Sequence, residues 1–184
     1  MKIIVYGSKY GSARRYAEEL SNRTFIEARS FSETKNLHSC DTIIYVGGLY
    51  AGEVLGLYRT IRAIPQDSAP FILIATVGLS DPKDVQNIKN IRDDIKKKMP
   101  EHLYERTKII HLPGKIDHAK LGFMDRLRVR SLYLRIKNTL PKNRTTDIER
   151  MLHTYGKDID LTDMDALNEI TEILWSIRPK TGPT

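Results

Sequence analysis

The stretch Ile3-Ile4-Val5-Tyr6-Gly7-Ser8-Lys9-Tyr10-Gly11-Ser12-Ala13 decides how this chain reads. In a strand beginning at Lys2, the apolar run Ile3 to Tyr6 breaks at Gly7 into a small, hydroxyl-rich loop. A helical pattern follows at once, with Ala13, Tyr16, Ala17 and Leu20 on one face. A strand that stops in such a loop and enters a helix aims unpaired backbone N–H groups at one point. The helix dipole adds positive potential there, and a phosphate is well received. Neither the P-loop pattern nor the G-x-G-x-x-G fingerprint fits, because no Lys follows Gly11 in place and a third Gly is missing.

Outward from this point, four further strands are expected at Thr24–Arg29, Thr42–Val46, Phe71–Val77 and Lys108–Leu112. Most are dense in Ile and Val, as strands covered on both faces of a parallel sheet should be. Helical stripes lie between them. One is Leu57, Ile61 and Ile64, ended by Pro65; another runs Val85, Ile88, Ile91, Ile95 and Met99, opening near Asp81-Pro82 and closing at Pro100. A last helix carries Met164, Leu167, Ile170, Leu174 and Ile177, with a capping box, Thr162-x-x-Asp165. This alternation predicts an α/β fold with a doubly wound sheet.

Ligands of open α/β sheets sit beyond the carboxyl ends of the strands. The loop after strand three reads Gly47-Gly48-Leu49-Tyr50-Ala51-Gly52-Glu53, and that after strand four Thr76-Val77-Gly78-Leu79-Ser80-Asp81-Pro82. Both are Gly-rich, which lets backbone approach a flat ring closely. With Ser8-Lys9-Tyr10-Gly11-Ser12, these loops resemble the three cofactor loops of the flavodoxin family. The resemblance implies a five-stranded parallel sheet in the order 2-1-3-4-5, and FMN as cofactor. Its phosphate would lie on Ser8, Lys9, Tyr10, Gly11, Ser12 and Ala13, its ring between Gly48, Leu49, Tyr50, Ala51 and Gly52 on one side and Thr76, Val77 and Gly78 on the other. Tyr50 would stack on the ring. Many flavodoxins place an aromatic where this chain has Ala51, so Tyr50 stands one residue out of step.

The 184 residues carry a net charge of +7 and a single cysteine, Cys40. One cysteine excludes an internal disulfide and a Cys-based zinc cluster. No apolar run approaches the roughly 18 residues of a membrane span, and a cytoplasmic location is expected. Between Lys115 and Arg144 nine basic residues face two acids, Asp117 and Asp125, an excess equal to that of the whole chain. A basic segment after strand five resembles the branch of flavodoxin-domain proteins related to the menaquinone-linked protoporphyrinogen dehydrogenase. One domain is expected over 1–178, with the basic helical insertion at about 115–157 and a disordered tail at 179–184.

In that insertion Leu121, Met124, Leu127, Ser131 and Leu134 share one helix face, and Arg126, Arg130 and Lys137 another. Such a helix can lie on anionic lipid, each basic residue adding roughly 1 kcal/mol. The expectation is therefore a segment that sets the partner and does not build the cofactor site. Peripheral contact with the inner membrane surface would run through Arg126, Arg128 and Arg130. Nucleic acid is not expected, since no helix-turn-helix, zinc or aromatic-interleaved motif accompanies the charge. The histidines have no metal-ligand spacing; His118, just after strand five, could approach the ring or a substrate.

The implied function is an FMN-dependent oxidoreductase moving electrons between an organic or quinone substrate and a redox partner protein. The alternative is a non-enzymatic FMN electron carrier. The enzyme reading rests on acid-free loops near the ring and a positive segment nearby, which together favour electron uptake.

Overall fold

The computed structural model describes residues 1–50, 53–117, 121–138, 140, 152–153 and 155–177. In chain order the elements are β1 (Lys2–Gly7), α1 (Ser12–Thr24), β2 (Ala28–Ser30), β3 (Thr42–Tyr50), β4 (Glu53–Val54), α2 (Leu57–Arg62) and β5 (Phe71–Gly78). They continue as α3 (Val85–Lys98), α4 (Glu101–Tyr104), β6 (Thr107–Pro113), β7 (Lys115–Ile116), α5 (Phe123–Lys137), β8 (Ile159–Asp160) and α6 (Leu167–Ser176).

Five strands form one parallel sheet in the order β2-β1-β3-β5-β6, the doubly wound order expected from the resemblance. The register places Gly7 beside Gly47, Gly47 beside Thr76, and Thr76 beside His111. The carboxyl ends of β1, β3 and β5 therefore finish side by side, where the strand order reverses between β1 and β3. That is the crevice position of this architecture. Alternate residues feed two cores. Val5, Ile43, Tyr45, Ile72 and Ile74 pack against Leu57 and Ile61 of α2 and Ile95 of α3. Ile4, Ile44, Val46, Leu73 and Ala75 pack against Tyr16 and Leu20 of α1 and Leu167, Ile170 and Leu174 of α6.

Several boundaries differ from the sequence reading. Strand two begins at Ala28 and not at Thr24, because α1 runs on through Thr24 and is ended by Phe25 in the left-handed region at φ 56°. Strand three extends to Tyr50. Its last residues pair with β4 as an antiparallel hairpin, so Gly47 to Tyr50 are strand and not loop. Helix α3 opens at Asp84, whose carboxylate accepts the N–H groups of Gln86 and Asn87, three residues after the expected start. The capping box fails. Thr162 bonds back to Asp160, Asp165 N–H donates to Asp163, and α6 starts behind Ala166 with no side-chain cap. Cys40 is buried, as a structural thiol should be, and burial pushes its pKa up.

Tyr16 ties three parts of the chain together. Its hydroxyl donates to the Pro113 carbonyl at 2.7 Å and accepts the Asp163 N–H at 2.8 Å, joining α1, the end of β6 and the approach to α6. Lys2 Nζ donates to the Leu174 and Ile177 carbonyls at 2.8 and 3.3 Å, so the first strand satisfies the carboxyl end of the last helix.

Candidate functional site

The phosphate-type loop lies where the sequence puts it, between β1 and α1. Gly11 caps α1 with φ 94°, a backbone state that favours Gly, and offers no side-chain bond to the first turn. No acid occupies that turn, which leaves its N–H groups and dipole for an external anion. Ser8 Oγ accepts the Gly11 N–H at 3.1 Å, and Ser12 Oγ accepts the Lys115 N–H at 3.1 Å. Each hydroxyl keeps its proton to donate. The Ala13 side chain is packed in the core, so this residue brings only its backbone to the loop.

Beyond β3 and β5 the expected ring-flanking residues come together in part. Leu49, Thr76 and Gly78 line one small, open cleft with Asp81, Asn87 and His111. A Cβ on Gly78 would lie 2.8 Å from Leu49 Cδ1, so Gly is what lets Leu49 lie across the end of β5. Val77 points into the opposite core and offers backbone alone. A Cβ on Gly48 would stand 3.6 Å from the Gly7 carbonyl, an ordinary contact. Ala51, Gly52 and His118 lie outside the described residues, as does the 179–184 tail.

His111 was missed by sequence reading. Its Nδ1 lies 2.7 Å from Thr76 Oγ1, while Nε2 is buried with no hydrogen-bond partner among the described residues. Burial, with the Arg92 guanidinium, lowers its pKa to about 4. The ring is therefore neutral in the folded chain down to about pH 4, whereas in the unfolded chain it takes up a proton near pH 6.5. Proton uptake favours unfolding between these values, and the stability contribution is lost as the pH falls from about 6.5 towards 4. The loss should reach about 2 kcal/mol, less than the full shift because solvent reaches part of the ring. In urea titrations at pH 7.5 and 4.5, His111→Gln should narrow the gap between the two midpoints. An unchanged gap would mean that other groups carry the acid sensitivity.

The largest departure concerns the basic segment. Asp125, on α5, is 5% exposed and sits among the candidate cofactor residues. It pairs with Lys9 Nζ at 2.7 Å, accepts the Tyr10 hydroxyl at 2.5 Å, and accepts the Tyr50 hydroxyl in a short hydrogen bond. Lys9, then the two tyrosine hydroxyls, hold this carboxyl well below the usual carboxylate range. Asp125, then Tyr50, push the Lys9 pKa up. The Lys9 ammonium also stands over the Tyr50 ring, 3.8 Å from its centroid.

Two expectations are thereby corrected. The segment after the last sheet strand does help to build the site, through Asp125 and through the Lys115 N–H on Ser12. Nor is the added charge there simply positive, since the helix delivers a buried carboxylate that balances Lys9. Of the residues expected on the apolar face of the helix, one is turned inward. Leu121 is buried, but Met124, Leu127 and Leu134 are exposed with Phe123, because Asp125 and its polar partners take the inward position. Arg126 and Arg130 are exposed; the Arg128 side chain is outside the described residues.

No curated protein matches the chain significantly. Among solved structures, it is similar to a flavoprotein in complex with FMN from Lactobacillus acidophilus, at 10% identity and TM-score 0.43 over 61% of this chain and 91% of that one. It is also similar to a flavodoxin from the domain Archaea, at 13% and 0.41 over 65% and 87%. An NAD(P)H:quinone oxidoreductase from Methanothermobacter marburgensis matches at 8% and 0.38 over 83% and 95%. With these TM-scores below 0.5, the assignment rests on the family model described as a flavodoxin domain, which matches residues 3–139. The chain belongs to the flavodoxin-domain family, whose cofactor is FMN.

Proposed function

We propose that this protein binds FMN through the residues gathered at the ends of β1, β3 and β5, and moves electrons between an organic or quinone substrate and a redox partner. The observation that carries the reading is the open amino end of α1, with its uncapped N–H groups, Ser8, Ser12 and no acid, set at the reversal of strand order. The phosphate would be held by the N–H groups from Lys9 to Ala13 and by the two serine hydroxyls. The ring would lie between Gly48–Tyr50, continuing into Ala51 and Gly52, and Thr76–Gly78. FMN supplies the redox chemistry; these residues bind it, orient it and keep water from its faces.

The finer placement, in the branch of the menaquinone-linked protoporphyrinogen dehydrogenase, draws support from the basic helix after the last sheet strand. On its exposed side Phe123, Met124 and Leu127 lie among arginines, a surface suited to a partner or to anionic lipid. Among the described residues no helix is long and apolar enough to cross a membrane. A second reading, a non-enzymatic carrier, is favoured by Asp125. Its carboxylate offsets the Lys9 ammonium, so the basic segment brings the site no net positive charge to favour electron uptake.

Mass spectrometry of the cofactor released from purified or reconstituted protein is expected to give FMN. Recovery of FAD, or of no flavin after reconstitution, would sink the cofactor assignment. Turnover of NAD(P)H with a quinone by the isolated protein would then favour the enzyme, and turnover only with a partner protein the carrier.

A further inference from the structure

Helix α5 is joined to the rest of the molecule in an unusual way. Between residues 121 and 138, Leu121 and Asp125 are the only buried side chains described, and Phe123, Met124, Leu127 and Leu134 face solvent. Farther along, Tyr133 stacks on Tyr155 with ring centroids 4.0 Å apart. Within the helix, Asp125 is the one buried side chain among those described. That carboxylate reaches partners from two separate parts of the cofactor site, Lys9 and Tyr10 in the phosphate-type loop and Tyr50 at the end of β3. One residue of the helix thus joins the two parts of the site.

Tyr50 is fixed twice by this arrangement. Its hydroxyl is held by Asp125, and one face of its ring carries the Lys9 ammonium. The hydroxyl bond and the ammonium together set the plane of the ring before any ligand arrives. Ordering in advance lowers the entropic cost of binding. An apolar residue at position 125 could hold neither the cation nor the hydroxyls. A neutral amide would keep some hydrogen bonds but lose the charge that gathers all three donors.

We propose that Asp125 is a positioning residue that latches α5 across the cofactor site as a strap, so that closure of the strap and retention of FMN depend on one another. The proposal rests on the FMN reading above. With the strap closed, Tyr50 is held in its stacking plane and FMN leaves only when α5 lifts. With FMN bound, Tyr50 and the phosphate-type loop are ordered, and Asp125 keeps its partners. By linkage each state stabilises the other.

The test combines FMN release with tryptic cleavage of α5, whose Arg126 and Arg130 are exposed on the helix. Asp125→Asn should release FMN at least tenfold faster than the unmodified protein in displacement experiments. Without cofactor, its α5 should be cut at least tenfold faster. Saturating FMN should slow cleavage of the unmodified protein fivefold or more and leave the variant nearly unprotected. Tyr50→Phe, which keeps the ring and loses only the hydroxyl, should move both readouts in the same direction by a smaller factor. It also preserves the test should Asp125→Asn not fold. Unmodified protein that binds FMN, with both readouts unmoved beyond twofold in whichever of the two variants folds, overturns the strap and leaves the cofactor reading intact. Equal cleavage of the unmodified protein with and without bound FMN also overturns it. Unmodified protein that binds no FMN overturns the cofactor reading, and the coupling with it.

Discussion

Gly7→Ala should cost the fold at least ~3 kcal/mol, the largest stability loss expected here for the addition of one methyl group. A Cβ at this position would fall 1.9 Å from the Leu55 carbonyl oxygen and 2.6 Å from the Tyr45 hydroxyl. Neither neighbour can yield. Leu55 is backbone, and Tyr45 is fully buried with its hydroxyl donated to that same carbonyl. Burial pushes the Tyr45 pKa up, so the group stays a neutral donor and cannot adapt by ionising. For a chain of this size the loss amounts to a melting temperature lower by about 6–12 °C. Gly48→Ala, whose added carbon would meet nothing closer than 3.6 Å, is the control and should shift melting far less. Equal melting of Gly7→Ala and the unmodified protein would mean that β1 and Leu55 are not neighbours.

Tyr50→Ala is expected to weaken FMN binding by about 100-fold. Stacking of an aromatic on a planar base is worth ~1–3 kcal/mol, and this substitution also removes the hydroxyl held by Asp125. Residual bound flavin should fluoresce more brightly, since a stacked aromatic quenches the excited ring. Fluorescence titration, checked by equilibrium dialysis, gives both numbers. A dissociation constant within threefold of the original would assign the stacking role to another residue.

The strand, loop and helix from Lys2 to Leu20 were legible because every cue in them is local. Apolar run, Gly and helical stripe follow one another without long-range help. The sheet order followed from the resemblance, the alternation of elements alone being silent on it. What failed depended on contacts remote in sequence or on unusual backbone. Phe25 ends α1 in a conformation that a bulky residue rarely adopts, so nothing in Thr24-Phe25-Ile26 signalled a stop. Tyr50 read as loop because its hairpin partner, Glu53, lies across Gly-rich chain with no strand pattern of its own.

Asp125 is the instructive miss. Its partners stand 75 to 116 positions earlier in the chain, and counting charge from Lys115 to Arg144 averages it away. The one usable signal was its isolation, an acid set directly before Arg126 in a run of bases. His111 was hidden in a similar way. Only the register that sets it beside Thr76 reveals that a polar pair lies within an apolar strand.

The last helix carries a consequence for synthesis. Leu167, Ile170 and Leu174 complete the core that Ile4, Tyr16 and Leu20 begin, and Tyr16 waits for the Asp163 N–H. A growing chain that has emerged only as far as residue 139, where the family match stops, has all five strands of the parallel sheet but, on the side where α6 packs, lacks the cover that α6 adds to α1. That apolar surface stays wet until the final turns leave the ribosome. The N-terminal portion therefore cannot be banked as a finished unit during translation, and a truncated product should be a substrate for chaperones and proteases.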